Sequence, residues 1–430
     1  MDSQHDNRFD VVLYGATGIT GGKIFETMIA CRKFDEFSVA IAGRNEQKLR
    51  EVIRKTEATT GASLTERVGV LICETADGAS MARMARRSKL IVNAVGPFRL
   101  HGEAVVRAAV ENGAHQIDVA GEPEWIERME DKYLERARTS GVYVVSACGW
   151  DSIPADLGVA VLKKHFDGQL SRIDAFVHLQ FGPSGYSFSA TSLHALLLGF
   201  NGAAVHGDLG ATRRRIMPER LDTDDGHLPR ERPTLWRIEE KESAGWALPF
   251  PGADKSIVTR SQYNDAVENR VKPVHFTPYS RFETRANAIL LAAFMSLLKV
   301  AAKYEIVQRF VMRYPSLSSC NLFSDEGPSK QQMREASFSY RFYGYGFGRG
   351  DPRTEKPRKK LLVTCTGPDV GYIATSGCVL SSALIILKQK EALPKNGGVY
   401  TTATAFGNSR IYQYLADFGI KFDIEMPAKL

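Results

Sequence analysis

The sequence predicts an α/β fold: a doubly wound parallel-sheet domain, followed by a second domain of mixed α/β (α+β) character. Three observations carry this expectation. The chain has 430 residues, more than one ordinary hydrophobic core accommodates, so two domains are expected. Apolar strand-like runs alternate with helical patterns through the first 150 residues, as in βαβ units with right-handed crossovers. A glycine-rich turn at 15–22 joins the first strand to the first helix. At 43% hydrophobic and 24% charged residues, the composition is that of a folded chain rather than a disordered one.

The first strand is the apolar run Phe9–Tyr14. Gly15-Ala16-Thr17-Gly18-Ile19-Thr20-Gly21-Gly22 follows it and leads into a helical pattern over Lys23–Cys31. In that order the glycines take on separate tasks. Gly15 permits a sharp turn, Gly18 lets the backbone approach a pyrophosphate, and Gly21 lets helix and strand pack closely. Thr17 and Ile19 share the turn, where N–H groups at the helix start face phosphate charge. The domain is therefore expected to be Rossmann-like. Further strands are read at Ser38–Ala42, Val68–Cys73, Leu90–Asn93, His115–Val119 and Val142–Ala147. Helices between them are read at Glu46–Thr56, Ala79–Arg86, His101–Asn112 and Trp125–Ser140.

The second strand ends in Ala42-Gly43-Arg44-Asn45. A site for NAD usually offers a carboxylate there to hold the ribose 2′-hydroxyl; a guanidinium at Arg44 pairs instead with a 2′-phosphate. NADP is the expected cofactor, NADPH in preference to NADH. After the fourth strand, Asn93-Ala94-Val95-Gly96-Pro97-Phe98 forms a turn at the crevice beside the nicotinamide. There Asn93 is expected to bond the backbone of the glycine turn, while Gly96 and Pro97 let the cofactor lie close. Two acid-bearing rims follow the next strands: Asp118-Val119-Ala120-Gly121-Glu122 and Gly149-Trp150-Asp151-Ser152-Ile153-Pro154-Ala155-Asp156. Glu122 and Asp151 are candidates for touching substrate. Asp156 reads as a helix-cap or interdomain residue, with Pro154 in the first helical turn.

Charge and cysteines narrow the class. The net charge of +7 is thinly spread, and its densest basic run, 353–360, reads as a solvated loop between strands. No zinc-finger spacing, RNA-binding strand motif or basic zipper is present, so no nucleic-acid partner is expected. Six cysteines lack a CxxC pair, and four sit in apolar contexts that suit buried thiols in a reducing compartment. Residues 1–7 carry no signal-peptide or transit pattern. The expected location is the cytosolic side of the membranes.

The second half reads as strands at Ile173–Phe181, Ser256–Arg260, Val274–Thr277, Phe338–Phe347 and Lys360–Cys365, with helices at Ser187–Phe200 and Ser376–Lys388. Gly207–Glu242 reads as a surface excursion with a helix near Leu209–Ile216, and Pro315–Lys330 as a loop. The aromatic strand at 338–347 is expected to pack one face and wet the other. His165, His178, His194, His206, His227 and His275 lack metal-ligand spacing, so no metal is expected. The Tyr-x-x-x-Lys pair of short-chain dehydrogenases is absent. Proton donors permitted by chemistry alone are Tyr186, His194 and Glu122, besides Asp151 on its rim.

Across these motifs the chain resembles the saccharopine dehydrogenase-like oxidoreductases. The matches are Gly15–Gly21, Ala42-Gly43-Arg44, Asn93–Phe98, Asp118–Glu122 and Gly149–Asp156. They continue through Leu248-Pro249-Phe250-Pro251-Gly252-Ala253-Asp254 with Arg260-Ser261, Gly367-Pro368-Asp369-Val370-Gly371-Tyr372 and Gly397-Gly398-Val399-Tyr400-Thr401-Thr402. The chain departs from the pattern at Gly185-Tyr186-Ser187, where relatives carry Gly-Thr and then serine. The resemblance implies a two-domain oxidoreductase, similar to bacterial trans-acting enoyl reductases that act on lipid intermediates. It also implies association with lipid droplets and membranes, as in animal members. The expected activity is NADPH-dependent reduction of an activated double bond in a small, lipid-related acceptor. The alternative is a catalytically weak dinucleotide-binding scaffold at lipid droplets or membranes. The expected division is 1–150 for the cofactor, 151–395 for substrate or interaction, and 396–430 packing back on the first domain. A homodimer is expected from base rates alone.

One segment bears on the lipid expectation. Residues 286–298 form a run of 13 uncharged residues, too short for a span that needs about 20. Lys299, Lys303, Arg309 and Arg313 follow, and Pro315 ends the pattern. Two expectations stand: one helix over 286–314 whose first half touches a lipid surface, or a buried core helix.

Overall fold

The computed structural model describes residues 8–206, 209–221, 232–350 and 357–425. In chain order the first strands are β1 (Phe9–Tyr14), β2 (Val39–Gly43), β3 (Val68–Ile72), β4 (Ser88–Asn93), β5 (His115–Asp118) and β6 (Tyr143–Val145). Next come β7 (Gln169–Gln180), β8 (Phe188–Ser189), β9 (Trp236–Ile238), β10 (Gly245–Pro249) and β11 (His275–Phe282). The last are β12 (Phe323–Ser324), β13 (Ser337–Phe347), β14 (Lys359–Pro368), β15 (Gly398–Tyr400) and β16 (Lys421–Glu425). Helices α1 (Ile19–Ala30), α2 (Glu46–Thr60), α3 (Gly78–Arg86), α4 (Phe98–Asn112) and α5 (Pro123–Ser140) intervene between the first strands. They are followed by α6 (Ile153–His165), α7 (Ala190–His206), α8 (Leu209–Ile216), α9 (Asp254–Asn269), α10 (Arg285–Ala301) and α11 (Glu305–Arg313). The remainder are α12 (Pro315–Ser318), α13 (Lys330–Glu335), α14 (Thr375–Lys388), α15 (Thr402–Phe406) and α16 (Ile411–Asp417).

The first sheet has the order β15-β6-β5-β4-β1-β2-β3 and is parallel throughout. Val11, Val12 and Leu13 of β1 are fully buried, because crossover helices cover both faces of such a sheet and demand a continuous apolar run. Strand order reverses between β1 and β4, so the crevice for a ligand opens beyond their carboxyl ends. The second sheet is mixed, with the order β16-β14-β13-β7-β11-β10-β9 and one parallel pair, β7 with β11. A short pair, β8 with β12, stands apart.

The two sheets are interlocked. The chain enters the second sheet at β7, returns to place β15 beside β6, and ends with β16 beside β14. Helix α6 packs on β13 and β14, where Gly158 leaves room for the Phe342 ring; a Cβ there would lie 2.5 Å from it. Asp156 in α6 accepts from Ser261 Oγ, Thr402 Oγ1 and the Ala403 N–H at 2.8, 2.8 and 2.6 Å, tying α6 to α9 and α15. Val370–Lys388 is long and apolar enough to cross a membrane by length and composition, yet most of it is buried inside the fold. It packs on α1, β4, β5 and α16, as a core helix does.

Several expectations need correction. Ser256–Arg260 is not a strand but part of α9. Within Pro315–Lys330 lie α12 and β12, and within Gly207–Glu242, besides α8, lies the edge strand β9; residues 207–208 and 222–231 are outside the described residues. The aromatic strand β13 is packed on both faces. Phe338, Tyr340 and Phe342 are buried, and so is Tyr343 on the opposite side, where it meets Phe176. The one helix expected over 286–314 is two, α10 and α11, broken at 302–304. Of the basic run at 353–360, read as a solvated loop, residues 353–356 are outside the described residues, while Lys359 and Lys360 open β14 and pair with Asp167 and Glu240.

Candidate functional site

The turn after β1 is built by close backbone contacts. The Gly15 N–H donates to the Ala42 carbonyl at 3.0 Å, and Gly15 sits at φ +94°, a region that glycine enters without steric cost. A Cβ on Gly15 would come within 2.6 Å of Val95 Cγ2, and one on Gly21 within 2.2 Å of the Gly15 carbonyl oxygen. Those two glycines are required by the fold. Gly18 is different: its φ of −80° suits any residue, and the nearest protein atom to a Cβ there is the Gly15 carbonyl oxygen, at 3.5 Å. The space above it is open. Helix α1 begins immediately after, with no side-chain cap, leaving its first N–H groups to a ligand.

A cavity of about 2200 Å³ runs from this turn into the second half of the chain. Its first part is lined by Gly15, Thr17, Gly18, Ile19, Arg44, Gly96 and Pro97. Gly21 and Asn93 are not in the wall but beneath it. Asn93 does not bond the glycine turn: its Oδ1 accepts from the Val95 N–H at 3.0 Å, and its buried Nδ2 has no partner. The turn is braced instead by Val95. Arg44 is exposed and lines the cavity, and no carboxylate among the described residues pairs with it. Glu74 lies at the same end. Open space over Gly18, an uncapped helix start and an available guanidinium fit a dinucleotide carrying a 2′-phosphate.

The far part of the cavity is apolar, with Leu196, Phe200, Leu290, Phe294, Leu297 and Phe323 in its wall. Between the two parts lie Gly121, Glu122, Trp150, Asp151 and Gly252.

The four candidate proton donors are placed very differently. Glu122 lines the cavity but is already engaged. It accepts from the Phe98 and Arg99 N–H groups at 2.8 and 3.2 Å and pairs with the Arg99 guanidinium at 3.2 Å, so it anchors the start of α4. Tyr186 is absent from the wall; it stacks on Phe181 and donates to Asp369, and burial beside that carboxylate pushes its phenol up. His194 is also outside the wall, and burial lowers its imidazole. Asp151 alone of the four faces the cavity without a side-chain partner. Its carboxylate lies in a slot where two glycines lack side chains: a Cβ on Gly121 would stand 2.6 Å from Oδ2, and one on Gly252 2.4 Å from Oδ1. Sequence reasoning missed Asp254, buried nearby, whose Oδ2 accepts from the Tyr340 hydroxyl at 2.7 Å. It also missed the structural role of Asp118, which knits β5 to β6 by accepting from Ser146 Oγ at 2.8 Å and the Ala147 N–H at 3.1 Å.

Residues 11–145 match the saccharopine dehydrogenase NADP binding domain, which makes NADP the cofactor of the first sheet. A Caenorhabditis elegans "Lipid droplet localized protein" is 51% identical, with 97% of this chain and 99% of that one covered. A Homo sapiens saccharopine dehydrogenase-like oxidoreductase is 32% identical, with 97% of both chains covered. A Mycobacterium tuberculosis protein bearing the name of a trans-acting enoyl reductase is 30% identical, with 93% of this chain and 94% of that one covered. Among solved structures, apo saccharopine dehydrogenase (L-Glu forming) from Saccharomyces cerevisiae covers 97% of this chain and 100% of its own at a TM-score of 0.57 and 13% identity, a likeness of fold. With this NADP-binding domain and full-length relatives, the chain belongs to the saccharopine dehydrogenase-like oxidoreductases.

Proposed function

We propose that the protein uses NADPH, in preference to NADH, to reduce an activated double bond in a lipid-related acceptor. The observation that carries the reading is the single cavity joining the glycine turn and Arg44 to an apolar chamber between α7 and α10. At about 2200 Å³ it exceeds the roughly 300–1,000 Å³ of ordinary small-molecule sites, leaving room for a dinucleotide and a long apolar acceptor together. In this reading Gly15, Thr17, Gly18, Ile19, Gly21, Asn93, Gly96 and Pro97 shape the cofactor half and Arg44 takes the 2′-phosphate. Residues 1–150 serve the cofactor, 151–395 the acceptor, and 396–430 complete the first part. The bound cofactor supplies the hydride; the protein orients the acceptor, excludes water and delivers a proton. The enoyl reductase name of the mycobacterial relative supports the reaction class.

We also propose that α10 and α11 rest on a lipid surface, on the cytosolic side. The expectation of a buried core helix fails, because only Ala288, Leu298 and Ala301 of α10 are buried. Leu290, Leu297, Ile306 and Leu317 are 67, 66, 82 and 72% exposed, beside exposed Lys299, Lys303, Arg309 and Arg313. Apolar side chains interleaved with bases suit an interface of acyl chains and phosphates. Leu290 and Leu297 also line the cavity, so its mouth opens on this face and an acceptor enters from the lipid. The name of the nematode relative agrees with such a site. The test is NADPH consumption by purified protein with a long-chain trans-2-enoyl thioester, in water and in phospholipid-coated droplets. Turnover enhanced by droplets is expected; cofactor binding with no consumption in either setting supports the scaffold alternative and refutes the reductase.

A further inference from the structure

Asp151 and Asp254 come from different elements, one just ahead of α6 and the other in the first turn of α9. The Ala253 N–H donates to Asp151, which brings the carboxyl groups into one electrostatic unit. Asp254 is buried, receives the Tyr340 hydroxyl on Oδ2, and has no partner on Oδ1. Asp151 is the member that reaches the cavity, held in the slot between Gly121 and Gly252. No lysine or arginine bonds either carboxyl among the described residues. The titratable and charged groups around the pair are Tyr340, Asp156 and, through them, Cys365 and Arg260.

We propose that Asp151 is the acid that protonates the acceptor, with Asp254, held by Tyr340, as the buried residue behind it. Two neighbouring carboxyls resist ionising together, so the deeper one, Asp254, keeps its proton while Asp151, which reaches the cavity, ionises first. Burial pushes Asp151 up to about 7, and burial together with the Asp151 charge raises Asp254 well above the carboxylate range. An acid with that midpoint is protonated often enough, and acidic enough, to work near neutrality. The inference rests on the reductase reading. The hydride reduces the acceptor's double bond while NADPH is oxidised to NADP⁺. The electron pair left on the neighbouring carbon then takes the Asp151 proton as its O–H bond breaks. The Asp151 carboxylate recovers a proton from solvent.

Difference infrared spectroscopy of the cofactor-free protein, wild type against Asp151→Asn, reads the protonated-carboxyl band of Asp151 directly. The band is expected to persist at pH 6 and to vanish as pH rises past about 7. It should vanish at nearly the same pH in Asp254→Asn, because Asp254 is still neutral when Asp151 ionises. With a trans-2-enoyl thioester as probe, Asp151→Asn should lose about 100-fold or more in kcat, with NADPH affinity unchanged. Titration of the band in the ordinary carboxylate range, or a wild-type rate in Asp151→Asn, overturns the proposal. If Asp151→Asn does not fold, the carboxyl band in Asp254→Asn against wild type decides. Wild-type protein that binds no NADPH refutes the reductase reading, while the titration of the pair still stands or falls by itself.

Discussion

Gly18→Ala separates the needs of the fold from those of the cofactor. In the folded chain the new methyl meets nothing closer than the Gly15 carbonyl oxygen at 3.5 Å, and φ −80°, ψ 165° is ordinary backbone. Alanine at a compatible glycine position narrows the unfolded ensemble and stabilises by about 0.4–1 kcal/mol. For a chain of this length the melting temperature should stay within about 2 °C of wild type. Binding should behave differently. A methyl above the turn displaces the pyrophosphate from the start of α1, and one charge-assisted backbone bond is worth about 1.5–3 kcal/mol. The NADPH Kd should therefore rise roughly 10- to 150-fold, read by calorimetric titration. Gly15→Ala and Gly21→Ala serve as contrasts, since their methyls would lie 2.6 and 2.2 Å from protein atoms and should lower the melting temperature as well. A Gly18→Ala protein with unchanged melting and unchanged Kd would refute the placement of the pyrophosphate.

Arg44→Ala should weaken NADPH binding by about tenfold or more while leaving NADH untouched, as expected for one lost charge-assisted pair; equal effects on both cofactors would remove the 2′-phosphate from Arg44. Replacing Leu290, Leu297, Ile306 and Leu317 by serine should abolish flotation with phospholipid vesicles and spare the melting transition, because these side chains are exposed; a collapsed transition would mean they support the core. Asp156→Ala strands Ser261, Thr402 and the Ala403 N–H in a buried site and should cost about 1–3 kcal/mol for each donor left unpaired, seen in chemical denaturation; a total loss below about 1 kcal/mol would show that the clamp is dispensable. Asp118 is raised by burial from 3.8 to about 6, so its protonated form favours the folded state. Its contribution is fully present below about pH 4 and is lost as pH climbs to about 6, roughly 3 kcal/mol at the outside. Asp118→Asn should flatten that slope, and an unchanged slope would count against the shift.

The first sheet was legible because its signals are local. Phe9–Tyr14, the glycines and the helix after them lie within about two dozen residues, and β1, β2, β4 and β6 carry the apolar runs that burial on both faces requires. Helix α9 was misread for the opposite reason. Ile257, Val258, Arg260, Ser261 and Gln262 are all buried, so the helix shows no single apolar stripe, and its β-branched residues imitate a strand. Asp151 was visible as an acid at a strand end, but its partner Asp254 lies about a hundred residues away, and only the packing of α6 beside α9 brings them together. Glu122, Tyr186 and His194 had suitable chemistry, yet their neighbours, not their residue types, decided whether they faced the cavity. The face of α10 likewise depended on what covered it: the same leucines serve a core or an exposed surface.

The placement of β15 has a consequence for how the chain matures. Gly398–Tyr400 pairs with Tyr143–Val145, so during synthesis the nucleotide sheet waits with β6 as a bare edge while some 250 further residues are made. An exposed parallel edge invites mispairing. A ribosome-bound fragment ending before residue 398 should thus remain protease-sensitive and depend on chaperones, and a stop codon ahead of residue 398 should cost the edge of the nucleotide sheet as well as the helices that follow it.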